Sequence, residues 1–394
     1  MRYCSPAGRC VNVRACETKA EYLSTLRHLH TELTLVDWLG VHASSENGSL
    51  RTSDCIYKDI PVVRHILSPI FTLLLLTGCQ AQTSPLPKSQ KLSPNKVAEI
   101  NATIEHKYPK LSRELRGKLL DTVVQSLDNM VFIEGGEFQM GDFGWPYDDD
   151  PANLCDWPCG VEPDRMGRIS MHGDDDFVHP VKLSSYSLSK FQTTLEDFDL
   201  FFIAHGKPLF DAEDRKREEL HEIFYAPKLP APTQSWQEAK DYCGWLGKLS
   251  GLPVDLPTEA QWEYAARNRG QYVMFSTDNG NLNYGRNFPE SGKGKRLTFA
   301  VDSFVPNPLG IYNLSGNATD WVNDWYGKDY YRVSPLINPT GPETGTLRVL
   351  RGSGYPEDPL LSSSTVRRWG EKPVRKEHVP GFSFRCAIQS DQPL

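Results

Sequence analysis

Proline and glycine punctuate this chain throughout. The 29 Pro and 30 Gly are dispersed over 394 residues rather than gathered in one tract. Each Pro removes a backbone donor and each Gly weakens a helix or strand interior. Such a chain folds as many short elements joined by loops, not as a helical bundle. A loop-rich body needs large side chains to exclude water, and 9 Trp, 16 Tyr and 17 Phe supply them. The formal net charge is -7, so no basic field is available to gather nucleic acid.

One apolar run, Ile66 to Leu76, is too short to cross a bilayer, which takes ~20 residues. Its length suits the h-region of a signal peptide. Arg64 and His65 precede it, and Leu76-Thr77-Gly78-Cys79 follows, which resembles a bacterial lipobox. We expect 62–78 to be a lipoprotein signal peptide, Cys79 to carry the lipid, and the acyl chains to hold the protein at a membrane. Gln80 stands where an Asp tends to retain a lipoprotein at the inner membrane, so the expected location is the bacterial cell envelope at the outer membrane. Signal peptides begin at the start of translation, so residues 1–61 are expected to lie upstream of a true start near Val62 or Val63. The alternative is an additional disordered region, with four cysteines in no recognised metal spacing.

Residues 79–93 read as a Ser/Pro/Gln/Lys-rich flexible tether. Residues 94–129 carry two amphipathic helical patterns, with Val97, Ile100 and Ile104 in the first and Leu115, Leu119, Val123 and Leu127 in the second. They form an expected helical packing arm. Met130 to Gly141 alternates around Gly135-Gly136, which predicts a hairpin, and Val181 to Phe191 reads as one strand. Between them, 142–178 is an irregular Asp/Gly/Pro-rich insertion. Helices are expected over Thr194–Phe202, Ser235–Leu249 and Thr258–Arg267, the last opened by a capping box. Trp262 and Ala266 share one face of that last helix, which we read as core without chemistry. Cys155 and Cys159 are spaced for a small local disulfide or a CxxxC redox pair, and we favour the disulfide.

Five segments occur in order: MVFIEGGEFQMG, SWQEAKDYCGWL, LPTEAQWEYAAR, GIYNLSGNATDW, and RVLRGSGY followed by GFSFRCA. Together they resemble the formylglycine-generating enzymes, or sulfatase-modifying factors, over about 130–390. The resemblance implies an irregular, loop-rich α+β fold distantly related to C-type lectins, with a short helical arm in front. It also implies a disulfide between Cys243 and Cys386. Calcium would be bound by the Asn313 side chain, the Gly316 and Ala318 carbonyls and Asp320, where the family usually has Glu. A second, weaker calcium site would begin at Asn283 and Tyr284. Calcium favours such oxygen sets.

The oxidases of this family bind Cu(I) through two thiolates, soft ligands for a soft ion. Their positions fall on Glu357 and Ser362 here, and no cysteine lies between Cys243 and Cys386. No copper is therefore expected. The three-histidine iron motif of more distant relatives has no counterpart among His106, His172, His179, His205, His221 and His378. Glu357, Ser362, Arg367, Arg368 and Trp369 remain as candidates to line a groove. The expected function is an envelope lipoprotein that holds a protein or peptide partner without catalysis. The alternative is a non-copper oxidoreductase, iron-dependent or cofactor-independent, acting in maturation of an exported product, as for pyoverdine-maturation relatives.

Overall fold

The computed structural model describes residues 85–146, 150–170, 172–218, 223–290, 298–352, 363–375 and 381–394, together with two short strands near the start of the chain. Those strands, β1 (Arg2–Cys4) and β2 (Cys10–Asn12), pair antiparallel within a unit that ends at Gln82. Everything from Thr83 to Leu394 forms a second unit. The signal peptide and Cys79 lie outside the described residues. Among the described residues no helix is long and apolar enough to cross a membrane.

The second unit begins with α1 (Pro94–Lys107) and α2 (Arg113–Asp128). Ser93 and Ser112 cap them by accepting from Lys96 N and Leu115 N. Their apolar stripes are buried: Ile100, Ile104, Val123 and Leu127 share a core with Trp245, Leu246 and Phe384 of the main body. Trp245 Nε1 donates to Tyr108 Oη at 2.8 Å. The helical arm is thus part of the body. The end of the tether is also fixed, since Gln90 N and Lys91 N donate to the Asp128 carboxylate.

The expected hairpin is not formed. Strands β3 (Met130–Ile133) and β4 (Gly136–Met140) do not pair with each other. The single strand expected over 181–191 is likewise two, β5 (His179–Leu183) and β6 (Tyr186–Ser189). β3 pairs with β6 and β4 with β5, both antiparallel and in one register: Met130 opposes Ser189, Ile133 opposes Tyr186, Gly136 opposes Leu183 and Met140 opposes His179. Two residues on each side, 134–135 and 184–185, interrupt the ribbon at the same level. The cause is steric. A Cβ on Gly135 would lie 2.2 Å from Leu183 O, so only glycine lets the two backbones cross this closely.

Three helices follow as expected: α3 (Leu195–Ala204), α4 (Trp236–Ser250) and α5 (Glu259–Ala266). Both α4 and α5 open with full capping boxes, Ser235 with Glu238 and Thr258 with Gln261. β7 (Val254–Asp255) and β12 (Ala387–Ile388) complete a four-stranded sheet in the order β3-β6-β12-β7. A second four-stranded sheet, β10-β9-β8-β11, is built from β8 (Thr319–Trp325), β9 (Arg348–Arg351), β10 (Arg368–Glu371) and β11 (Phe382–Phe384). Short strands, few helices and long connections make this the irregular α+β architecture the punctuated sequence implies.

The 142–178 insertion is tied down where it is described. The Asp142 carboxylate accepts from Gly144 N, Ile169 N and Ser170 N. Phe143, Trp145 and Ile169 pack with Met274, Phe275 and Phe288 in a core of their own.

Candidate ligand groove

The helix α5 carries more than packing. Glu259, Glu263 and Arg267 recur at four-residue spacing, so they share one face, and all three are buried. Arg267 Nη1 lies 2.9 Å from Glu263 Oε1. Arg351, from β9, reaches both acids, 3.1 Å to Glu259 Oε1 and 2.8 Å to Glu263 Oε2. Arg368, from β10, pairs with Glu259 Oε1 at 2.8 Å, although its Nε–H is not aimed at that oxygen. Tyr331 Oη donates to Glu259 at 2.9 Å. Asp324 accepts from Glu259 N at 2.8 Å, and burial with the nearby Glu259 charge pushes its pKa up to about 8. This network locks α5 to the second sheet. Reading α5 as plain core missed it, though the four-residue repeat of Glu, Glu and Arg was visible.

The expected groove residues divide at this network. Arg368 is wholly buried within it and does not line an open groove. Arg367, one residue earlier on the chain, lies outside the network, with Nη1 3.2 Å from Asp175 Oδ2 and its guanidinium 5.5 Å from the ring of Trp369. Asp175 Oδ1 is buried with no hydrogen-bond partner among the described residues. Burial raises the Asp175 pKa to about 7, opposed by Arg367 and aided by the neighbouring Asp174. Tyr326 Oη contacts Asp174. Arg367, Trp369 and Asp174 therefore form a partly exposed rim, supplied jointly by the insertion and the start of β10, with Asp175 fully buried behind Arg367. Glu357 and Ser362 lie outside the described residues.

The expected calcium loop is wound by its backbone. Asn313 and Asn317 adopt positive φ, 57° and 64°, and Gly316 stands at 121°, where a Cβ would also meet the Phe288 ring at 2.9 Å. This winds the loop so that the Ala318 carbonyl and the Asp320 carboxylate face the same side chain. That side chain is Gln192, whose Nε2 donates to Ala318 O at 2.8 Å and to Asp320 Oδ1 at 2.9 Å. Asp320 Oδ2 accepts from Arg385 Nε at 2.7 Å and Trp262 Nε1 at 3.0 Å. Asn313 Nδ2 donates to Val301 O. At the weaker position, Asn283 N donates to Asn287 Oδ1, and Tyr284 is exposed with its ring against Phe288. The Asp278 carboxylate nearby is held by Arg286 and by Asn287 Nδ2.

Sulfur has one fate here. Cys155 pairs with Cys159, and Cys243 with Cys386 at an S–S distance of 2.00 Å, as expected. No other cysteine occurs after Cys79, so the body holds no free thiolate for a soft metal.

A domain of mixed short strands and capped helices, with its glycine-rich loops and both disulfides in place, matches the family described as Sulfatase-modifying factor enzyme 1-like domain over residues 117–390. The formylglycine-generating enzyme of Streptomyces coelicolor is 32% identical over 307 residues, covering 68% of this chain and 91% of that enzyme. The bovine formylglycine-generating enzyme is 36% identical over 182 residues, covering 42% of this chain and 45% of that protein. The mouse "Inactive C-alpha-formylglycine-generating enzyme 2" is 28% identical over 304 residues, covering 67% of this chain and 87% of that protein. The chain belongs to the sulfatase-modifying factor enzyme 1-like family.

Proposed function

We propose that this protein is a non-catalytic member of its family. In this reading it is anchored at the bacterial cell envelope by lipid on Cys79 and uses the rim of Asp174, Arg367 and Trp369 to hold a protein or peptide partner. The observation that carries this reading is the loss of sulfur. No cysteine lies between Cys243 and Cys386, which are themselves consumed in a disulfide, and the resemblance puts the family's two thiolates near Glu357 and Ser362. Oxygen ligands do not hold Cu(I) as a thiolate pair does. The likeness to a mouse protein named as inactive supports the same reading. A rim with an Arg beside an aromatic ring suits polar recognition of a peptide.

The test is metal analysis of the purified protein, with oxygen uptake measured against a cysteine-containing peptide. The expected result is no stoichiometric copper or iron and no peptide oxidation. Tight Cu(I) with conversion of cysteine to formylglycine overturns the proposal. Stoichiometric iron with oxygen uptake would instead establish a non-copper oxidoreductase.

A further inference from the structure

In loop 313–320 two of the oxygens that the family resemblance assigns to calcium, Ala318 O and Asp320 Oδ1, meet one side chain, and their setting does not fit the ion. We propose that the side-chain amide of Gln192 replaces the cation, so that this loop is held without calcium.

Calcium takes six to eight oxygens at about 2.3–2.6 Å. Two of the four expected ligands, Ala318 O and Asp320 Oδ1, instead converge on one nitrogen, Gln192 Nε2, at 2.8 and 2.9 Å. A primary amide has two N–H bonds, and here each meets one oxygen. The charge is settled as well: the Asp320 carboxylate is paired with Arg385, and both side chains are buried. Arg385 also donates to Tyr312 O at 2.9 Å, on the same loop, so a divalent ion would stand close to a fixed guanidinium.

Gln192 cannot easily turn its oxygen inward to become a ligand. Its Oε1 faces Asn317 Nδ2 at 3.5 Å. Asn317 is itself oriented by the backbone of Phe299, accepting from Phe299 N at 2.7 Å and donating to Phe299 O at 3.1 Å. Rotating the Gln192 amide would set N–H against N–H there and oxygen against oxygen at Ala318 and Asp320. Withdrawal is blocked too, because the next residue is bonded on both sides, Thr193 N to Phe384 O and Ala231 N to Thr193 O. The amide therefore ties the start of α3 to the head of β8, as a bound ion would.

The test is calcium binding by isothermal titration, with melting temperature in calcium and in EGTA, on the wild-type protein, Gln192→Glu and Asp320→Asn. Wild type should melt at the same temperature in both solutions. Gln192→Glu sets two carboxylates side by side, so it should melt lower in EGTA and recover by about 5 °C in excess calcium. If Gln192→Glu does not fold in either solution, Gln192→Met, which removes both donors at similar length, should show the same calcium response. Wild-type binding that Asp320→Asn leaves intact lies elsewhere and is consistent with the proposal. Wild-type binding that Asp320→Asn abolishes overturns it, as does the absence of a calcium response in whichever variant folds.

Discussion

Arg351 and Glu263 meet at 2.8 Å, and neither side chain touches water. Arg351 also pairs with Glu259, and its Nη2 contacts the Thr365 carbonyl, so one guanidinium joins β9, α5 and the segment before β10. Arg351→Met leaves two buried carboxylates short of their partner. Breaking a buried pair from one side costs about 3–5 kcal/mol. Urea unfolding followed by circular dichroism should show a loss of that size. A change under about 1 kcal/mol would mean the network is not needed for stability.

Stability should fall as pH rises. Asp175 and Asp324 have pKa values raised to about 7 and about 8 by burial, against about 3.9 in an unfolded chain. Between those limits the folded state binds the more protons, so each acid favours folding fully below about pH 4 and loses that contribution as pH rises through its folded value. Asp324→Asn keeps an oxygen to accept from Glu259 N and removes the ionisation. Melting temperatures from pH 5 to 9 should decline in the wild type and decline less in the variant.

The disulfide between Cys243 and Cys386 spans 143 residues and sits in the main core beside Trp245 and Phe384. Chain entropy assigns a loop of that length about 4–5 kcal/mol. Cys243→Ala with Cys386→Ala should lower the urea midpoint strongly. Loss of Cys155–Cys159, which closes a separation of only 4 residues, should cost less.

Lipidation rests on the order of basic residues, apolar run and Leu76-Thr77-Gly78-Cys79. Expression with a radiolabelled fatty acid should label the wild type and not Cys79→Ala. The variant should leave the membrane fraction, because one thiolate is the acceptor for the acyl chains. Equal labelling of both proteins would refute Cys79 as the acceptor.

The helices were legible because their signals are local. The Thr258 capping box and the apolar stripes each lie within a few residues of what they determine. The β ribbon was not, since a Gly-Gly pair between two alternating runs is the mark of a tight turn. Here the close approach of Leu183, about 50 residues onward, makes it an interruption instead. The rim was only partly readable. Arg367 and Trp369 were found as neighbours of the lost thiolate positions, but Asp175, buried behind Arg367, comes from an insertion whose return to that place is a tertiary event. Arg368, adjacent in sequence, faces the interior because successive residues of a strand point to opposite sides.

The shared register of β3–β6 and β4–β5 constrains how this part of the chain can vary. Adding a single residue to segment 134–135 would slide one half of the ribbon against the other and exchange the inward and outward faces of every residue beyond it. Length changes there keep both halves in register most simply as matched pairs, one at 134–135 and one at 184–185. Two stretches some fifty positions apart are therefore coupled in length.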